Sequence, residues 1–102
     1  MPKRFNKLVR DRIPEIIEAN GEHPVTRTLG DTEYLAALVE KLKEECAEFE
    51  ADLSLEELAD VQEVVFALAD LLASRAELER VRAAKVSQRG AFKDKIFLES
   101  TE

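Results

Sequence analysis

The sequence predicts an all-α protein: an antiparallel bundle of about four helices whose core is completed by oligomerisation. Apolar residues make up 45% of the 102 positions and charged residues 36%, a mixture typical of helical proteins. All Gly and Pro residues lie outside residues 31–89, so long helices meet no interruption there. Apolar residues recur at helical spacing within that range. The length is that of one domain, residues 1–102.

The first two helices are separated by an extended connector. Asp11 is predicted to cap a short first helix, Pro14 to occupy its first turn, and Asn20 and Gly21 to end it. The second helix is predicted from about residue 31 to residue 52. Its apolar stripe has steps of three and four residues: Leu35, Leu38, Leu42, Cys46, Phe49 and Leu53.

Two capping boxes predict where the third and fourth helices begin. Ser54 is followed three residues later by Glu57, and Ser74 by Glu77. The third helix is predicted to end near residue 73. It is apolar around most of its girth, so we expect a second subunit to cover one side. The fourth helix is predicted to end at Gly90, followed by a tail docked as a strand or loop.

Composition and charge exclude several classes of protein. The net charge of −7 argues against a general nucleic-acid-binding surface, although a phosphorylated small molecule remains compatible where cations mediate the contact. The single Cys46 excludes an internal disulfide and a cysteine-built zinc site. No apolar run has transmembrane length, and the first residues do not resemble a signal peptide. We therefore expect a cytoplasmic protein without membrane or nucleic-acid partners.

Carboxylates gather where the second and third helices meet. Residues 43–65 contain Glu44, Glu45, Glu48, Glu50, Asp52, Glu56, Glu57, Asp60 and Glu63. Because the connector is short, the two helices are expected to be antiparallel neighbours, which places Glu48 level with Glu57 and Glu45 level with Asp60. Glu44 lies close behind.

Converging carboxylates repel one another, and only Lys41 and Lys43 are near in sequence. Multivalent hard cations offset such repulsion, and oxygen ligands suit Mg²⁺ or Mn²⁺. The sequence thus predicts a metal site. The alternative is a solvated acidic helix face, on which Glu57 only completes its capping box.

The motifs EExxE at residues 44–48 and ExxD at residues 57–60 resemble those of the MazG-like all-α nucleoside triphosphate pyrophosphohydrolases. That superfamily includes dimeric dUTPases and phosphoribosyl-ATP pyrophosphohydrolase. The segments NKLVRDRIPEII and KVSQRGAFKDKIFLE are similar to signatures of a small MazG-like subgroup, and the resemblance covers most of the chain. One departure is the spacing: eight residues separate Glu48 from Glu57, fewer than in many MazG enzymes.

The resemblance implies a metal-dependent hydrolase that cleaves a nucleoside triphosphate to the monophosphate and pyrophosphate, in a house-cleaning role and as a homodimer or tetramer. Glu45 or Glu48 would accept the proton of the attacking water. The implied ligands of Mg²⁺, for which Mn²⁺ substitutes, are Glu44, Glu45, Glu48, Glu57 and Asp60. The residues expected to bind substrate phosphates are Lys7, Arg10, Arg12, Lys85 and Arg89.

Two alternatives remain at this stage. One is a phosphoribosyl-ATP pyrophosphohydrolase of histidine synthesis. The other is a non-catalytic acidic helical dimerisation module that binds a basic partner. The second alternative predicts that Asp60 is salt-bridged, whereas the metal site predicts an unpaired, buried Asp60.

Overall fold

The computed structural model describes residues 2–102 and contains four α-helices and no strand among them. The helices are α1 (Ile13–Ala19), α2 (Asp31–Ala51), α3 (Leu55–Leu72) and α4 (Arg75–Arg89). The prediction of an all-α protein is thereby confirmed for this part of the chain. None of the helices within residues 2–102 has the length and hydrophobicity needed to cross a bilayer.

Serine caps begin both α3 and α4, as predicted. The Ser54 hydroxyl accepts a hydrogen bond from the backbone N–H of Glu57 at 3.3 Å, and Ser74 accepts one from Glu77 at 3.0 Å. A complete capping box would also have the backbone N–H of Ser54 donate to the carboxylate of Glu57. Here the N–H of Ser54 donates instead to the carbonyl of Asp52, at 2.8 Å. The carboxylate of Glu57 is therefore not used by the cap.

The predicted cap of α1 is wrong. Arg12, not Asp11, occupies the N-cap position, and its side chain makes no capping hydrogen bond. A backbone turn closes this end instead, since the N–H of Ile13 donates to the carbonyl of Arg10 at 3.0 Å. Pro14 lies in the first turn, as predicted.

Packing is concentrated between α2 and α3, which form an antiparallel hairpin. The buried residues in the described chain are Leu38 on α2, 2% exposed, with Val64 and Ala69 on α3. The predicted stripe of α2 is only partly covered, because a single neighbouring helix shields one line of side chains. Leu53 is 76% exposed, and Cys46 is exposed rather than part of the core.

The fourth helix and the tail leave the chain elongated. α4 packs against α3 and contacts no other helix. The radius of gyration is 18.0 Å, against about 13 Å for a compact domain of this length. The docked tail is a wrong prediction for the single chain: Phe92, Ile96, Phe97 and Leu98 are 75–99% exposed. Contact between the helices is confined to α2 with α3 and α3 with α4, so no four-helix bundle encloses this tail.

Candidate metal centre

Two carboxylates continue the apolar seam between α2 and α3. Glu45 lies seven residues after Leu38, and Glu57 lies seven residues before Val64. Seven residues are about two helical turns, so each acid lies within about 20° of the direction of its apolar counterpart. The side chain of Glu45 is only 13% exposed. A seam that is apolar in the middle of the hairpin thus becomes acidic near the α2–α3 connection, where half-buried charges require compensation.

A third carboxylate completes a compact cluster. One oxygen each from Glu45, Glu57 and Asp60 lies within 4.8 Å of the others, and all three residues are partly buried. These are three of the five residues predicted to bind metal. Such an arrangement offers only oxygen atoms, the donors that Mg²⁺ and Mn²⁺ prefer.

The environment of Glu57 shows that further acids surround it. Partial burial raises the pKa of Glu57, and the negative charges of Asp60, Glu48, Asp52 and Glu45 raise this pKa further. Glu48 therefore belongs to the electrostatic surroundings of the cluster. Asp52 does too, although it was not among the predicted ligands. The available signal was its position, at the end of the predicted second helix, on the same stripe as Glu45 and Glu48.

One lysine compensates part of this charge along α2. The Nζ atom of Lys41 lies 3.3 Å from Glu45 and 3.4 Å from Glu44. Lys43 points elsewhere and pairs with Glu40 at 3.1 Å. Glu44 thus lies beside the three-acid cluster and is held by a cation.

The segment before α1 crosses the hairpin and brings two predicted phosphate-binding residues to the acids. Arg10 Nη2 lies 2.5 Å from Asp60 Oδ1, and Lys7 Nζ lies 3.7 Å from Glu44 Oε1. The expectation of an unpaired, buried Asp60 is wrong, because its side chain is 37% exposed and paired with Arg10. Arg10 and Asp60 are fifty positions apart, so no local sequence pattern predicts their contact.

The other three predicted phosphate-binding residues form no ion pair with the cluster in residues 2–102. Arg12 pairs with Glu15 at 2.8 Å in the first turn of α1. Lys85 and Arg89 lie on the C-terminal half of α4 and form no ion pair within the described residues.

The packing of α4 explains this placement of Lys85 and Arg89. Seven residues of α3 line the groove between α3 and α4: Leu55, Leu58, Ala59, Val61, Gln62, Val65 and Phe66. At 100° per residue these positions lie about 100–160° around the helix from Asp60. The body of α3 therefore separates α4 from the carboxylates of the same chain.

Comparison with known proteins gives one partial match and no family. No family model matches the chain, and no solved structure matches it. An uncharacterized protein of Mycolicibacterium smegmatis is 64% identical over 45 residues. The match covers 44% of this chain and 46% of that protein, so the chain spans less than half of this relative's length.

Proposed function

We propose that this protein is a metal-dependent nucleoside triphosphate pyrophosphohydrolase that releases the monophosphate and pyrophosphate. The observation that supports this function best is the acidic end of the α2–α3 seam. There Glu45 and Glu57 occupy the faces that carry Leu38 and Val64 two turns away, and Asp60 joins them within 4.8 Å. A helical hairpin stabilised only by packing gains nothing from acids at such positions.

Divalent cations, Mg²⁺ or Mn²⁺ in its place, would neutralise phosphate oxygens and lower the pKa of water when bound. The residues proposed to hold them are Glu44, Glu45, Glu48, Glu57 and Asp60. Glu45 or Glu48 accepts the proton of the attacking water. Both lie next to Glu57, whose pKa responds to their charge.

Arg10 and Lys7 supply positive charge at the edge of the cluster. A guanidinium group binds two oxygens of a phosphate as readily as it binds the two oxygens of a carboxylate, because its donors form a planar fork. Arg10 is held beside Asp60, and Lys7 beside Glu44. Both cations therefore lie next to the proposed metal ligands, where the phosphates of a bound triphosphate would lie.

The proposal includes assembly into a homodimer or tetramer, in which the second copy closes the bundle. It also includes a house-cleaning role in the cytoplasm. The supporting observation is an open groove of about 1110 Å³ between α3 and α4, lined mainly by apolar side chains. Leu55, Leu58 and Leu78 are exposed along it in the single chain. Contiguous apolar surface of this kind marks an interaction site.

Product analysis tests the proposed reaction. The purified protein is incubated with standard and modified nucleoside triphosphates, and with phosphoribosyl-ATP, in Mg²⁺ or Mn²⁺. We expect monophosphate and pyrophosphate from a triphosphate, with loss of both products in EDTA and in Glu48→Gln. Glu56→Gln is the matched control, since it removes an exposed acid of α3 outside the three-acid cluster. Absence of turnover for every triphosphate overturns the proposal.

One observation favours a second candidate, the non-catalytic acidic module. Asp60 is salt-bridged to Arg10, as that alternative requires. A module of this kind is stabilised by neither Mg²⁺ nor Mn²⁺, whereas a metal site gains stability from the ion that it binds. Thermal unfolding with and without the ion therefore separates the two functions.

A further inference from the structure

Each chain exposes far more surface than a folded protein of its size. The accessible area is 9328 Å², against about 5,800 Å² expected for a compact monomer of this mass. The excess of about 3,500 Å² per chain exceeds the share that each partner buries in a standard interface, about 800 Å². The excess is large enough to accommodate contact with a second copy of this chain.

Part of the excess lies on a basic and apolar segment at the end of the chain, residues 85–98, here called the arm. Its cations are Lys85, Arg89, Lys93 and Lys95, and Asp94 is its one acid. None of these cations forms an ion pair with residues 2–102 of its own chain. The two preceding arginines of α4 differ, since Arg80 pairs with Glu77 and Arg82 with Glu79. Five large apolar residues of the arm are also exposed: Val86, Phe92, Ile96, Phe97 and Leu98.

A surface of opposite charge and similar apolar character lies at the α2–α3 connection, residues 48–57, here called the hairpin tip. It contains five acids and no basic residue. Leu53 and Leu55 lie among the acids and are 76% and 81% exposed. The arm and the tip are thus complementary both in charge and in exposed apolar side chains.

The cations of the arm do not reach the acids of the tip in their own chain. α4 packs on the side of α3 that faces away from Asp60, in a groove that Leu55 of the tip lines but no arm residue does, and α4 makes no contact with α2. The chain extends over 61 Å, about twice the length of its longest helix, α2. A second copy related by a two-fold axis forms the contact twice and closes the assembly.

We infer that the arm of one copy lies on the hairpin tip of a second copy and brings Lys85 and Arg89 to the carboxylate cluster there. The role of these two residues in phosphate binding rests on the proposed function. The contact between arm and tip does not. Each site then contains Arg10 and Lys7 from its own chain and two further cations from its partner.

Crosslinking tests the contact in protein freed of metal by EDTA. In a Cys46→Ser background, a tagged chain with Arg89→Cys is mixed with an untagged chain with Glu56→Cys, and a short bis-maleimide is added. We expect a mixed crosslinked dimer. The matched control replaces Arg89→Cys by Arg80→Cys, on the first half of α4, and gives little product. Equal yields from both positions overturn the inference, as does a crosslink formed within one chain carrying both Arg89→Cys and Glu56→Cys at high dilution.

Light scattering after gel filtration gives a second measurement that needs no cysteine. Lys85→Glu with Arg89→Glu is expected to raise the dimer dissociation constant at least about tenfold, because attraction at the tip becomes repulsion. Arg80→Glu with Arg82→Glu is the control and leaves it near the wild-type value. A dimer that survives the first pair of changes unaltered overturns the inference.

Activity measurements separate this inference from the proposed function. Mixing Asp60→Asn with Lys85→Ala/Arg89→Ala restores turnover if each site combines residues of two chains. Crosslinking without any nucleotide turnover contradicts the proposed reaction and leaves the contact standing. Turnover by the wild type without a mixed crosslink contradicts the contact and leaves the reaction standing.

Discussion

Stabilisation by Mn²⁺ is the most direct prediction of the carboxylate cluster. An ion that binds only the folded state at 100 times its dissociation constant stabilises that state by about 2.7 kcal/mol. A chain of 102 residues has an unfolding entropy of about 0.21 kcal/mol per kelvin, so each kcal/mol moves Tm by about 5 °C. We therefore expect Tm to rise by about 13 °C in differential scanning calorimetry at a fixed protein concentration.

A ligand variant and a matched control make the experiment specific. Asp60→Asn removes one of the three oxygens that lie within 4.8 Å of one another. If affinity falls a hundredfold, the same Mn²⁺ concentration stabilises the variant by about 0.4 kcal/mol and moves Tm by about 2 °C. Glu56→Gln, an equal loss of charge on α3, keeps the full shift. An unchanged Tm of the wild type on addition of Mn²⁺, or equal increases in Tm for wild type and Asp60→Asn, would refute the reasoning.

Three further predictions concern charge balance and packing. Because its surroundings raise the pKa of Glu57, the metal-free protein loses stability as pH rises from the ordinary Glu value of about 4.3 through the raised value. Glu57→Gln should therefore unfold at a higher temperature than wild type at pH 7, with no difference at about pH 4 and below; a lower Tm at pH 7 would contradict this. Arg10→Ala frees the carboxylate that Arg10 holds and should tighten Mn²⁺ binding in calorimetric titration, whereas Arg80→Ala should not; equal affinities would show that Arg10 does not compete with the ion. Leu38→Ala should cost about 2–5 kcal/mol in urea unfolding, while Val25→Ala, at an exposed position, should cost less than about 0.5 kcal/mol; similar costs would contradict the assigned core.

Local patterns in the sequence predicted the helices well because the forces that begin and end a helix act over a few residues. The serines at residues 54 and 74 cap α3 and α4 as their spacing predicted. The apolar stripe of α2 correctly included Leu38. The same reasoning placed Glu45 and Asp60 level across a short connection, and their oxygens lie close together. Helical rise and connector length were sufficient for that much of the site.

The tertiary structure decided which charges meet and which surfaces stay open. The pairing of Arg10 with Asp60 joins residues fifty positions apart, and no periodicity within either segment contains it. The side of α3 on which α4 packs is also decided by the tertiary structure, because α3 is apolar around most of its girth and offers more than one face. That choice separates Lys85 and Arg89 from the carboxylates of their own chain. Helix formation is a local property of the sequence, whereas the partners of a charge depend on how the helices pack in space.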